Sequence, residues 1–156
     1  MTSDAVDILP LAISIGLVVS LLFSEFFGIA AGGMVVPGYL ALHLDRPLDV
    51  IMTLLAGVLT FALVQGLSSF AVIYGRRRTA LMILTGYFVG TVGRWALHGW
   101  VMSYGPGIDI IGYIVPGLIG IWLARQGVLE TVATATTAAV VVRLTLILLA
   151  AEELPV

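Results

Sequence analysis

Cysteine is absent from this sequence. Disulfides, thiolate catalysis and Cys-based metal sites are therefore excluded. Lysine is absent too: all seven cations are Arg, at Arg46, Arg76, Arg77, Arg78, Arg94, Arg125 and Arg143. A Walker A loop sets a Lys on the phosphates, and a Schiff-base mechanism needs a Lys amine. This chain can do neither. Charge of either sign is scarce, at 10% of residues against about 25% in a typical soluble domain. No basic face of useful size exists, so nucleic acid is not an expected partner. His43 and His98 stand apart from each other without Cys, which does not make a zinc site. There is no G-x-S-x-G elbow, no paired catalytic carboxylates within one short segment and no nucleotide motif. No cofactor is expected.

What the sequence has is apolar length. Apolar residues make up 60% of the chain and its mean hydropathy is +1.15. So little charge cannot cover a surface in water, so lipid must be the solvent. We read an all-α integral membrane protein, a single transmembrane domain over residues 1–156. The N-terminus lacks the positive region of a signal peptide and carries Asp4 and Asp7, so the first apolar run is expected to be a retained span.

Four long apolar runs stand out: Ile8 to Phe27, Val50 to Tyr74, Ala80 to Val101 and Val128 to Ala151. Two shorter ones, Ile29 to Leu44 and Ile110 to Ala124, are broken by Pro37-Gly38 and Pro116-Gly117. Loops are expected over His43 to Asp49 and Ser103 to Asp109, and the tail from Glu152 is acidic. His98 lies beside Trp95 and Trp100, as in an interfacial aromatic belt. The spacings Gly28-x-x-x-Gly32 and Gly86-x-x-x-Gly90 suit close helix packing.

The short runs share a motif. Gly33-Met34-Val35-Val36-Pro37-Gly38-Tyr39-Leu40 aligns with Gly112-Tyr113-Ile114-Val115-Pro116-Gly117-Leu118-Ile119 at an offset of 79 positions, which also carries Arg46 onto Arg125. Each half then reads as long span, short Pro-Gly span, Arg, long span, with repeats over about 8–75 and 80–151. Six spans as two three-span inverted repeats is the preferred topology. Four spans with two re-entrant segments is the alternative. With Arg76, Arg77 and Arg78 in the cytoplasm, six spans leave only Arg46 among the loop cations outside, and four spans leave both Arg46 and Arg125 there. Three spans per half force opposite orientations, a plan common among proteins that move things across membranes.

Arg94 and Arg143 fall about 14 and 15 residues into their spans, on the order of 20 Å deep at 1.5 Å per residue. Burying Arg there costs at least about 2.5 kcal/mol on insertion scales. Each should face an anion in the bundle interior, or else pair with a carbonyl break or an acid, or snorkel outward. Glu25 is an acid inside the first span, but it sits near the opposite face and suits a loop Arg better. Arg76 to Arg78 read as a topology anchor that can also contact anionic lipid or a cytoplasmic partner.

These motifs together resemble the poly-γ-glutamate biosynthesis membrane subunit family, PgsC or CapC. The resemblance rests on Ser24-Glu25, Gly28-Ile29 and Val35-Val36-Pro37-Gly38-Tyr39-Leu40. It continues through Tyr74-Gly75-Arg76-Arg77, Met82, Thr85-Gly86, Val115-Pro116-Gly117-Leu118-Ile119, Arg125-Gln126-Gly127 and Thr131. The stretch from Tyr87 to Asp109 matches nothing, so no family role passes to Arg94. The resemblance implies a multi-pass protein of a bacterial or archaeal cell membrane. It implies two partners, an ATP-dependent poly-γ-glutamate ligase and a further membrane-anchored synthase subunit. The chain itself would be non-catalytic. Poly-γ-glutamate bears one carboxylate per residue, and Arg holds carboxylates bidentately while staying charged. Arg94, Arg143, Arg46 and Arg125 are thus candidates for a polymer path, to which the Pro-Gly breaks could add backbone groups. Two other readings are a scaffold for the ligase that conducts nothing, and an unrelated small-solute transporter.

Overall fold

The computed structural model of the chain describes residues 3–70, 75–101 and 110–152. Every regular element among them is a helix: α1 Ser3–Phe27, α2 Val36–Leu42, α3 Pro47–Phe70, α4 Arg76–Val101, α5 Val115–Gln126 and α6 Val128–Glu152. Four of these, α1, α3, α4 and α6, are long and apolar enough to cross a membrane. They carry exposed large apolar side chains, among them Phe70, Leu84, Phe88 and Leu148, as expected where lipid is the solvent. The turn read over Ser103 to Asp109, the side chains of His98 and Trp100 and the tail beyond Glu152 lie outside the described residues.

The two short runs are α2 and α5 with the irregular backbone ahead of them, residues 28–35 and 110–114. The break therefore precedes each Pro-Gly pair rather than falling on it. Pro37 and Pro116 stand in the first turn of their helices. First-turn N–H groups have no intrahelical acceptor, so a Pro there forfeits no bond. The motif opens on Gly33 and Gly112 because both take positive φ, 118° and 63°, a region that a Cβ disfavours. Gly28, read as a packing residue, instead ends α1: its φ is 66°, and a Cβ there would meet nothing within 4 Å.

The helices gather into two compact units. One contains α1, α2 and α6, and the other α3, α4 and α5. This division cuts across the two halves of the sequence, because each unit takes helices from both. In the first unit, Val19, Ala31, Ala41, Ala138 and Val142 form the core, with Ile15, Phe23, Leu44 and Leu146 around it. In the second, α5 packs against both α3 and α4, and Ala56, Val89 and Ile110 are buried with Met52 and Leu97 against them.

The same close approach organises both units. A Cβ on Gly16 would lie 2.8 Å from the backbone N of Gly38, and one on Gly38 would lie 2.8 Å from the Ala12 carbonyl. In the second unit, Gly86 meets the backbone of Gly117 more closely still, and a Cβ on Gly117 would come within 2.9 Å of Ile83 Cα and the Met82 carbonyl. Thus Ala12, Ile13 and Gly16 of α1 do what Met82, Ile83 and Gly86 do in α4, at an offset of 70 positions. Val19 and Ser20 are buried, as are Val89 and Gly90. In α3, Thr53, Gly57, Thr60 and Val64 are buried, and so are Thr131, Ala135, Ala138 and Val142 of α6. Helices in lipid lack a hydrophobic drive to associate, so backbone proximity at small residues must supply van der Waals contact instead.

Gly117→Ala should therefore destabilise the protein by about 1–3 kcal/mol, the usual range for overpacking. Gly66→Ala, on an open face of α3 where a Cβ meets nothing within 4 Å, should be neutral or slightly stabilising. Unfolding of the purified protein in detergent titrations would compare the two, and equal stability would mean that the glycine contact is dispensable.

Candidate functional site: the broken segments and the arginines

Irregular backbone inside a membrane protein leaves N–H and C=O groups that lipid cannot satisfy. Each unit answers with side chains from its long helices. In the first, the buried Ser20 hydroxyl donates to the Gly33 carbonyl at 3.2 Å, and the Thr134 hydroxyl reaches the Ala30 carbonyl at 3.2 Å. In the second, the Ile111 N–H donates to Thr53 Oγ1 at 2.9 Å, while the Thr53 hydroxyl donates to the Asp49 carbonyl at 2.6 Å.

Arg94 belongs to this set. Its Nη2 donates to the carbonyl of Ile110, the first described residue of the second break. The guanidinium lies 3.9 Å from the centre of the Tyr113 ring, and Tyr113 stands 5.8 Å from the ring of Tyr87. A cation over an aromatic face gains electrostatic attraction, more so where water is thin. Of the roles open to Arg94 in the sequence, the structure supplies the carbonyl break.

Arg143 finds an acid that the sequence did not suggest. Its Nη2 lies 2.6 and 2.8 Å from the two carboxylate oxygens of Asp45, and its Nη1 donates to the Ala41 carbonyl at 3.4 Å. Asp45 follows α2 in a segment readable only as a loop, so nothing local tied it to a residue 98 positions away. Glu25 lies exposed near the end of α1, and among the described residues no Arg forms an ion pair with it.

The remaining cations cluster differently. Arg76, Arg77 and Arg78 open α4, and Arg125 stands next to the last residue of α5. Arg78 and Arg125 line the same cavity. Arg78 Nη2 donates to Gln65 Oε1 at 2.6 Å, and the Arg125 guanidinium lies 5.3 Å from the Trp122 ring centre. Gln126 ends α5, and the Gly127 N–H closes it on the Leu123 carbonyl at 3.2 Å. The exposed Arg46 precedes α3, where its carbonyl accepts from the Asp49 N–H at 3.0 Å. The Tyr39 carbonyl contacts His43 Nδ1 at 3.0 Å. Of the four path candidates, Arg46, Arg94 and Arg125 belong to the unit of α3, α4 and α5, and Arg143 to the other.

Thr53 and Thr60 give an internal comparison. Both are fully buried in α3, and both hydroxyls donate to a carbonyl four residues back. Only Thr53 also accepts from the Ile111 N–H. Thr53→Val should orphan that buried donor and cost about 1–3 kcal/mol, whereas Thr60→Val should cost clearly less. Unfolding titrations of the two variants would measure the difference, and equal losses would remove the break-sealing role from Thr53.

Comparison with known proteins shows the family. The family described as capsule biosynthesis CapC matches residues 15–132. The chain is 40% identical over 124 residues to the PGA biosynthesis protein CapC of Bacillus subtilis (strain 168), covering 79% of this chain and 83% of that protein. It is 37% identical over 132 residues to the capsule biosynthesis protein CapC of Bacillus anthracis, covering 81% and 85%. No solved structure matches the chain. Similarity of this extent reaches from α1 into α6 and takes in both Pro-Gly helices, so the chain belongs to the CapC family of capsule biosynthesis proteins.

Proposed function

We propose that this chain is the membrane subunit of a poly-γ-glutamate synthesis and export complex, and that it crosses the membrane six times. The observation that carries the reading is family membership across residues 15–132, with two relatives whose names refer to PGA and capsule biosynthesis. With no Lys and no nucleotide motif, ATP-dependent amide ligation falls to a partner in the cytoplasm. A further membrane-anchored subunit completes the assembly.

Contacts within each unit support six crossings over four. From the end of α1 the chain runs back along it, meeting Ser20 at Gly33 and Gly16 at Gly38. From the end of α4 it does the same, meeting Arg94 at Ile110, Gly86 at Gly117 and Arg78 near Arg125. Such retracing suits a crossing better than a re-entrant loop, which would return to the face it entered from. The excess of Arg76, Arg77, Arg78 and Arg125 at one end then marks the cytoplasmic side.

Passage of a polyanion would draw on the intramembrane cations. A second reading, a scaffold that conducts nothing, is favoured by one observation: Arg94 and Arg143 are both engaged by groups of the chain itself. Expressing Arg94→Gln and Arg143→Gln variants in a producing cell separates the two. On the export reading, secreted polymer falls severalfold while the tagged chain still co-purifies with the ligase. Unchanged secretion with the complex intact would leave the scaffold. Failure of any ligase to co-purify with the wild-type chain would remove the proposed complex altogether.

A further inference from the structure

Arg125, a candidate for the polymer path, shares a cavity with Arg78, and its placement at the cytoplasmic face rests on the topology proposed above. At the end of the second unit where α4 begins and α5 ends, this cavity of about 200 Å³ is lined by Gly75, Arg78, Thr79, Met82, Ile121, Ala124 and Arg125. Its lining divides by chemistry. Arg78, Thr79 and Arg125 supply two guanidiniums and a hydroxyl, while Met82, Ile121 and Ala124 are apolar. Among the described residues no carboxylate lines it. Arg78 spends one Nη2 bond on Gln65, but its buried Nε has no acceptor among the described residues. A buried donor without an acceptor in a native site calls for a missing partner.

We infer that this cavity is a site for the phosphate group of an anionic phospholipid of the cytoplasmic leaflet. The cations belong to the membrane's edge, because Arg78 is in the first turn of a helix that is long and apolar enough to span over Arg76–Leu97. Arg clusters of this kind mark the inner face, and basic pockets between spanning helices there suit anionic head groups. The apolar wall decides between ligands. A free phosphate or a soluble polycarboxylate would gain nothing from Met82, Ile121 and Ala124, whereas a lipid sets its phosphodiester against Arg78 and Arg125 and its glycerol and first acyl carbons along that wall. At about 30 Å³ per water in the liquid, the volume holds a head group several waters in size. Two guanidiniums also bind phosphate oxygens bidentately.

The test uses the full chain purified in detergent. Native mass spectrometry would count phosphatidylglycerol and phosphatidylcholine retained by the wild type, by Arg78→Gln/Arg125→Gln, and by Arg46→Gln. The last removes a cation at the far end of the same unit. Phosphatidylglycerol should bind the wild type in preference to phosphatidylcholine, and the double variant should lose about 30-fold in that affinity, at the usual increment for two Arg near an anionic surface. Arg46→Gln should retain it. So that a misfolded variant does not decide the matter, a photoactivatable phosphatidylglycerol would be cross-linked to the wild type. Adducts on residues 75–82 or 121–125 support the site, and adducts only elsewhere overturn it. Undiminished retention by the double variant also overturns it. So does displacement of the lipid by glycerol phosphate or by a γ-glutamyl oligomer at comparable concentration, which would reassign the site to a soluble oxyanion.

Discussion

A buried peptide group must be hydrogen-bonded, and this chain breaks its helices ahead of α2 and of α5, where the backbone is irregular. The stretches ahead of α2 and α5 give up the ladder that a continuous helix supplies automatically. Ser20 and Thr134 in one unit, and Thr53 and Arg94 in the other, restore bonds to those stretches. They can do so only because the broken segment lies very close to its neighbours, and that closeness comes from glycine meeting glycine. Gly16 on Gly38 and Gly86 on Gly117 are therefore prior to everything else in their units. A single methyl at any of these positions pushes the segment away from the hydroxyls that seal it.

The arginines divide along the same line. Arg94 is tied to a carbonyl of the second break and Arg143 to the Ala41 carbonyl near the end of α2, and each has a further partner for its charge, an aromatic ring or a carboxylate. Arg stays ionised wherever it is placed, so inside a span it must be answered, and here the chain answers it. Arg78 and Arg125 are different. They stand where helices begin and end, at a cavity without an acid among the described residues. The first pair thus meets carbonyls and an acid of the chain's own fold, whereas the second lines a cavity.

Composition, hydropathy and the Pro-Gly motif made much of this readable in advance. The long apolar runs became α1, α3, α4 and α6, and the paired motifs became α2 and α5. The motif alignment at 79 positions did not reveal the matching of α1 with α4, which runs at 70. Gly117 follows Gly86 by nine more positions than Gly38 follows Gly16, and single glycines in apolar helices carry no signature that survives such a shift. Asp45 was hidden for another reason: an acid in a loop looks solvated until the fold brings a distant Arg to it. The irregular stretches were expected at Pro, whereas Pro in a first turn begins a helix.

The assignment of helices to units has a consequence for how such a chain can be assembled. The third long helix of the first half, α3, completes the unit of α4 and α5, and the last helix, α6, completes the unit of α1 and α2. Neither half holds all three helices of any unit. A ribosome that has released only the first half has made α1 and α2 without the helix that finishes their core, and α3 without anything to pack on. The unit of α3, α4 and α5 is complete once α5 has been made, whereas the unit of α1 and α2 stays open until α6 arrives. A polypeptide carrying one half alone could reach this architecture only by exchanging its third helix with a second copy, as an intertwined dimer. Joining both halves in one chain fixes that exchange at a one-to-one ratio.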